Sequence, residues 1–348
     1  MRSFLKPAAG LTCLFALTVT GCSSSSGDSS DAAPKATEKA ETTPTESASP
    51  TSSASSSSTS YAPYVSVTTA SDMDSSGSPT TYNLAFAIAS GSSCTPKWNG
   101  TTAIDNAAVK SRIAALKTSG ASVRVSFGGA SGKELAETCT SATSLAKAYG
   151  EALDAAGSTQ ADFDIEGDTL TDSASVALRS KAIALLQKER SDLKVSFTLP
   201  VMPSGLDSDS LALLESANDN AVQVSTVNIM TMNYGESYTG DMGAYAITSA
   251  TATHTQLKKV FGLSDAGAWQ GMALTSMLGV NDVSGETFSL ADAAQVRKFA
   301  EEKEVAWVSM WSTFRDQQCE SGSSDDDAAT DCSGVTQSSG AFGEAFAG

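Results

Sequence analysis

The sequence predicts an α/β fold, a (β/α)8 TIM barrel preceded by a signal peptide and a disordered linker. Three observations carry that prediction. From Tyr61 onward, eight short apolar runs alternate with longer amphipathic stretches, the pattern of parallel strands joined by helical crossovers. The stretch 61–348 offers the length that a closed barrel needs, typically about 250 residues. The fourth run carries acids at alternate positions, Ala161-Asp162-Phe163-Asp164-Ile165-Glu166-Gly167, and in such a barrel chemistry gathers where strands end. A doubly wound open sheet is the competing architecture, but no GxGxxG follows the first run, so a dinucleotide site has no support.

In chain order, the runs that read as strands are Tyr64–Thr68, Tyr82–Ala89, Ser122–Phe127, Ala161–Glu166, Lys194–Leu199, Val224–Met230, Gly271–Thr275 and Ala306–Met310. Helical patterns lie between them. Val109, Ile113 and Leu116 share a face in one, and another runs from Ser175 to Arg190 around Ala177, Ile183 and Leu186.

The chain divides into three segments. Residues 1–21 read as an export signal, with Arg2 and Lys6 ahead of the apolar Leu11–Val19, a run too short to span a bilayer. Val19-Thr20-Gly21-Cys22 resembles the lipobox of bacterial lipoproteins, in which the cysteine is diacylglycerylated and becomes the new N-terminus. That resemblance implies lipidation at Cys22 and an extracellular domain anchored to the cell membrane only through that lipid. An ordinary signal peptide containing a cysteine is the alternative. Residues 22–60 are nearly all Ser, Thr, Ala, Pro and charged residues. They lack the apolar surface that would offset the entropy of ordering, so a flexible tether is expected. Residues 61–348 form the folded domain.

Charge narrows the partners. With 39 acidic and 22 basic residues the net charge is −17, which excludes a nucleic-acid partner and favours a neutral or cationic ligand. His254 is the single histidine, so metal sites built on several imidazoles and histidine-dependent nucleophiles lack partners. Cys13 leaves with the signal and Cys22 is acylated. The four remaining cysteines enter an oxidising compartment, where Cys94–Cys139 and Cys319–Cys332 are the expected disulfides, one of the three pairings that four cysteines allow.

Side chains alternate along a strand, so Asp162, Asp164 and Glu166 point one way and Phe163 and Ile165 the other. In a barrel the apolar pair packs against helices and the acids line the interior. Carboxyls crowded together repel one another and are costly to desolvate. At least one should hold a proton above its usual range, as a general acid must. A solvated edge strand with its acids in water is the plainer alternative for this heptapeptide.

Asp162-Phe163-Asp164-Ile165-Glu166 resembles the DxDxE signature of the family-18 glycoside hydrolases, the chitinases and their relatives. Ser126-Phe127-Gly128-Gly129 is similar to that family's SxGG motif. Met230-Thr231-Met232-Asn233-Tyr234-Gly235 resembles the segment that places its catalytic-site tyrosine, and Met310-Trp311-Ser312 resembles the tryptophan that floors the sugar subsite. The four motifs stand in the family's order, and the resemblance runs from Tyr61 to about Arg315.

The resemblance implies hydrolysis of β-1,4-linked N-acetylglucosamine polymers, chitin or chito-oligosaccharides, by a substrate-assisted retaining mechanism. Glu166 would protonate the glycosidic oxygen and Asp164 would hold the acetamido N–H. Asp162 would share a proton with Asp164, and Tyr234 would hydrogen-bond the acetamido oxygen. Trp311 would stack under the reacting sugar, with Met232, Asn233, Gly128 and Gly129 also binding substrate. No cofactor or metal is implied, and the chain is expected to act as a monomer. Two departures stand out: Thr159 and Gln160 replace the first Asp and Gly of the longer DGxDxDxE pattern, and Asn233 stands where the family often carries Asp. An endo-β-N-acetylglucosaminidase acting on N-glycans, a peptidoglycan hydrolase and a non-catalytic sugar-binding lipoprotein remain alternatives.

Overall fold

Pro63 divides the first strand. Ser60–Tyr61 pairs in parallel with the eighth strand, Trp307–Trp311, whereas Tyr64–Ser66 pairs in parallel with the second, Thr81–Ser90. One strand thus joins both ends of the sheet and closes it. Proline has no N–H to give to a ladder, and it sits where the strand changes partners. The other five strands are Ser122–Gly128, Gln160–Asp164, Lys194–Pro200, Val224–Met230 and Met272–Met277, parallel and in sequential order around the barrel. The computed structural model describes residues 59–323 and 331–348, all within the unit Ser55–Gly348, and has the (β/α)8 architecture that the sequence predicts.

The signal peptide, Cys22 and the predicted linker as far as residue 58 lie outside the described residues. The linker boundary at residue 60 needs correction. The Ser60 N–H donates to the Ala306 carbonyl at 3.1 Å and the buried Thr59 hydroxyl donates to the Ala300 carbonyl at 3.0 Å, so both belong to the barrel. Among the described residues no helix is long and apolar enough to cross a membrane.

Aromatic packing outside the sheet decides what faces inward. Phe127, Phe163 and Phe197 stand in register on strands three, four and five, with ring centroids 5.3 and 5.7 Å apart. Tyr149, from the helix Ala142–Ala156, closes on Phe127 and Phe163 at 4.8 and 5.0 Å. Each such buried ring contributes about 1.5–3 kcal/mol. With Phe163 held outward, alternation turns Asp162 and Asp164 into the barrel.

Strand four is shorter than its apolar pattern suggests. It ends at Asp164, so Glu166 stands just beyond the strand and not on it. Its backbone stays extended (φ −141°, ψ 169°) and it caps the short helix Gly167–Thr171, so alternation still carries its side chain inward. The helix Ala107–Leu116 buries Val109, Ile113 and Leu116 as expected, behind an Asn106 side chain that accepts from the Ala108 and Val109 N–H groups. The helix Ser173–Glu189 buries Ile183 and Leu186, but with Val176 in place of the expected Ala177.

Both expected disulfides form, Cys94–Cys139 with Cα atoms 4.6 Å apart and Cys319–Cys332 with 5.1 Å. The first ties the hairpin strand Ser93–Trp98 to the segment that follows strand three. His254 lies within the helix Met242–Phe261 and stacks on Trp269 at 4.0 Å.

Candidate active site

Asp162, 1% exposed, accepts from four hydroxyls. Tyr64 and Ser126 donate to its Oδ2 at 2.9 and 2.7 Å, while Ser196 and Thr198 donate to its Oδ1 at 2.7 and 2.9 Å. Asn228 Nδ2 in turn donates to the Thr198 hydroxyl at 2.9 Å, and Thr275 donates to Asn228 Oδ1 at 2.9 Å. The inward positions of strands one and three to seven thus form one buried network, which orients its members and fills a space that apolar side chains would otherwise take.

One turn of the alternation higher, Asp164 is 6% exposed and its Oδ1 has no hydrogen-bond partner in the protein. Burial raises its proton affinity well above the usual carboxylate range, and the negative charges of Glu166 and Asp162 raise it further. Glu166 lines the same cavity. Burial also raises the Glu166 proton affinity, its interaction with Asp164 opposes that rise, and the charge of Asp282 adds to it. Asp164 and Glu166 therefore both bind protons more tightly than free carboxylates and titrate as a pair. Hydroxyl donors already reach both Asp162 oxygens, while Glu166 is the acid that shares the cavity with Asp164.

The pair opens into a cavity of about 480 Å³, lined among others by Tyr64, Phe86, Thr198, Met230, Met232, Asn233, Asp282 and Trp311. Trp311 forms an aromatic floor with Phe86, stacked at 5.6 Å, and Tyr64, edge-on at 5.8 Å. A flat apolar surface beside carboxyls of raised proton affinity suits a pyranose ring, which offers C–H groups on its face and hydroxyls at its edge.

Three sequence expectations fail here. Tyr234 is buried behind the wall and packs on Tyr238 and Tyr245, each at 5.9 Å, outside the cavity lining. Met232 and Asn233 do line the cavity, so the segment carries its inward side chains earlier than the tyrosine. Gly128 and Gly129 are not lining residues either. Both have positive φ, and a Cβ on Gly128 would lie 2.1 Å from the Asp164 carbonyl oxygen and one on Gly129 2.8 Å from the Phe86 ring. The Gly129 N–H donates to that Asp164 carbonyl at 2.9 Å. The glycines bring strand three against the backbone that carries the acid.

Sequence reasoning missed Tyr64, Phe86, Asp282 and Glu286. The first two lie at inward or terminal positions of predicted strands, so alternation could have flagged them. The last two come from the loop after strand seven, which no local pattern marks. Glu286, 1% exposed, accepts from the Gly235 N–H at 2.8 Å, and Asn233 Nδ2 donates to Asp282 Oδ2 at 3.2 Å.

A closed barrel with coupled acids at the end of strand four and an aromatic floor at the end of strand eight has the layout of a glycoside hydrolase. Over 275 residues, 74% of this chain, it is 34% identical to a probable bifunctional chitinase/lysozyme of Escherichia coli (strain K12), covering 31% of that protein. It is 33% identical over 275 residues to endochitinase 11 of Metarhizium anisopliae, covering 52% of that protein. The chain thus spans about a third and about half of the curated relatives it matches. The catalytic domain of a hyperthermophilic chitinase from Pyrococcus furiosus superposes with a TM-score of 0.73 at 29% identity, over 82% of this chain and 93% of that one. No protein-family model matches the chain. With the four motifs above, the chain belongs to the family-18 glycoside hydrolases.

Proposed function

We propose that this barrel hydrolyses β-1,4-linked N-acetylglucosamine chains, chitin and chito-oligosaccharides, with retention of configuration. The observation that carries the reading is the buried Asp164 beside Glu166 in a cavity floored by Trp311. Protonated Glu166 gives its proton to the glycosidic oxygen as the C1–O bond breaks. The acetamido carbonyl oxygen of the same sugar bonds to C1 and forms an oxazolinium ion, while the Asp164 carboxylate accepts the acetamido N–H. A water that loses its proton to Glu166 then attacks C1, reopens the ring and restores the acid. Asp162, held by its hydroxyl donors, forms the floor beneath Asp164.

Relatives support the substrate. Endochitinase 11 and the Pyrococcus furiosus chitinase are named for this activity, and catalytic-site mutants of the latter's active domain 2 have been solved with chito-oligosaccharides. Chitotetraose is the test substrate, with products and their anomeric form followed by NMR. The parent protein should release chitobiose initially as the β-anomer. Inverted product, or release from a high-mannose glycopeptide but not from chitotetraose, overturns the reading.

The chain acts as a monomer and is tethered outside the cell by the lipid on Cys22, a placement that rests on the Val19–Cys22 motif and the Ser-rich tract behind it. Cys22→Ser should move the protein from the membrane fraction to the medium. Retention in the membrane would refute lipidation as the anchor.

A further inference from the structure

The mechanism above leaves one carboxylate in the cavity without a task. Asp282 is exposed at the rim and lines the same cavity as Glu166 and Trp311. Among the described residues no lysine or arginine forms a direct ion pair with it, and the buried Arg315 attracts it only from further off. Its loop is firmly held. Gly279–Val280 pairs antiparallel with Thr287–Phe288, and Glu286 accepts from the Gly235 N–H at 2.8 Å. The buried Arg315 donates through Nη2 to the Val280 carbonyl at 2.7 Å, and the Val280 N–H donates to the Ser333 carbonyl at 2.8 Å. Asn233 Nδ2 fixes the carboxylate itself at 3.2 Å. This negative charge has a defined place.

The acids climb from the barrel interior to the rim: Asp162 and Asp164 are buried, Glu166 is part-buried and Asp282 is exposed. In the proposed reaction Asp164 serves the acetamido group and Glu166 the scissile oxygen. The next acid outward, Asp282, lines the same cavity as Glu166 and so faces a sugar bound next to that oxygen. Electrostatics agree with this order, since the charge of Asp282 acts on Glu166, whereas Asp164 responds to Glu166 and Asp162.

We infer that Asp282 directs this enzyme to partially N-deacetylated chains, by pairing with the ammonium of a glucosamine unit on the leaving-group side of the cut. The inference rests on the chitin-hydrolysis reading. The reacting unit must keep its acetamido group because that group is the nucleophile, so the site calls for an N-acetylglucosamine followed by a glucosamine. A fully acetylated neighbour gains nothing from the rim charge, and an ammonium does. The net charge of −17 draws the same polycation toward the domain from a distance.

The experiment digests partially N-acetylated chitosan in mildly acidic buffer, where free amines are ammonium ions, and fully acetylated chitohexaose in parallel. Mass-spectrometric sequencing identifies the sugars at the newly formed ends. New reducing ends should all be N-acetylglucosamine. New non-reducing ends should be enriched in glucosamine about two- to fivefold over the polymer composition, the factor that a solvent-screened ion pair supplies. Enrichment should vanish in Asp282→Asn, persist in Asp282→Glu and fade at about 1 M salt, where the screening length drops to about 3 Å. Unbiased ends from the parent protein, or enrichment that survives Asp282→Asn, overturn the assignment while chitohexaose hydrolysis still upholds the parent reading. If the parent protein cleaves neither substrate, both fall.

Discussion

The inner wall of the cavity and its rim are built by different means. Strand four enters the wall through a continuous ladder, Ser126, Asp162 and Ser196 standing side by side in register, and the network around Asp162 reaches five other strands. The rim is held from loop to loop instead of by the sheet: Glu286 to the Gly235 N–H, Asn233 to Asp282, Arg315 to the Val280 carbonyl, and a disulfide between Cys94 and Cys139. Asn233 also carries a positive φ of 55°, a strained conformation for a residue with a side chain. Sheet register places atoms cooperatively, whereas one bond at a loop can be exchanged without disturbing the barrel. The reacting pair therefore belongs to the wall, and substrate choice belongs to the rim.

Substitutions in the wall should have the largest effects. Glu166→Gln keeps the shape and removes the transferable proton, so turnover of chitotetraose should fall by about 10²–10⁴, the usual worth of a general acid, with oligosaccharide affinity by calorimetry largely kept. Parental turnover would remove Glu166 from the mechanism and the wall from its privileged place. The wall also has a pH signature. Asp164 and Glu166 keep their protons to higher pH in the folded state than in the unfolded chain. Stability from these groups is therefore full below the unfolded carboxylate range and is lost as pH rises through the folded value. Asp164→Asn removes that loss. The variant should gain thermal stability relative to the parent as pH rises from acid to alkaline while its turnover falls, and a Tm difference that does not grow with pH would contradict the buried, coupled pair.

How far the wall and rim could be read from residues alone follows from the same difference. All eight strands were legible because each is a local apolar run with its own flanks, and the inward acids were legible because alternation is a property of one segment. Even there the end of strand four was misplaced, since the extended backbone of Glu166 continues the side-chain pattern after the ladder stops. The rim was largely illegible. Asp282 at the cavity and Glu286 behind it are placed by contacts with residues 49 and 51 positions away, and no periodicity encodes such a distance. The error at Tyr234 has the same origin: beyond Met230 the strand gives way to an irregular loop with Asn233 at positive φ, so counting by twos no longer tells which side chain faces in. The disulfides fell between these cases. Few cysteines leave few pairings, though the sequence does not say that one of them braces the rim.

That brace sets the next effect. The Cys94–Cys139 bond closes 45 residues, and a loop of that length stabilises by about 4 kcal/mol in the chain-entropy account. A Cys94→Ser, Cys139→Ser double variant should lose up to that amount in denaturant melts, and an unchanged midpoint would mean that the hairpin holds itself. On the other side of the rim, Glu286→Gln keeps an acceptor for the Gly235 N–H but removes the charge. We expect a loss of about 1–2 kcal/mol in stability, with KM for chitotetraose raised more than kcat is lowered, because the loop it holds carries Met232 and Asn233 and not the acid. A fall in kcat with KM unchanged would assign Glu286 to the chemistry and blur the division between wall and rim.

The smallest expected effect is the most discriminating. Tyr234→Phe removes only a hydroxyl, from a ring that is 3% exposed and packed between Tyr238 and Tyr245. In this position the hydroxyl meets no substrate, so kcat and KM should stay within about twofold of the parent, no bond formed in the transition state being lost. Had Tyr234 donated to the acetamido oxygen as its motif suggests, the loss would resemble removal of an oxyanion donor, about 10²–10³ in kcat. The two outcomes lie far enough apart for a single rate measurement to decide. A large fall would mean that the loop after strand six rearranges when sugar binds, turning the tyrosine inward, and that this part of the rim becomes wall during the reaction.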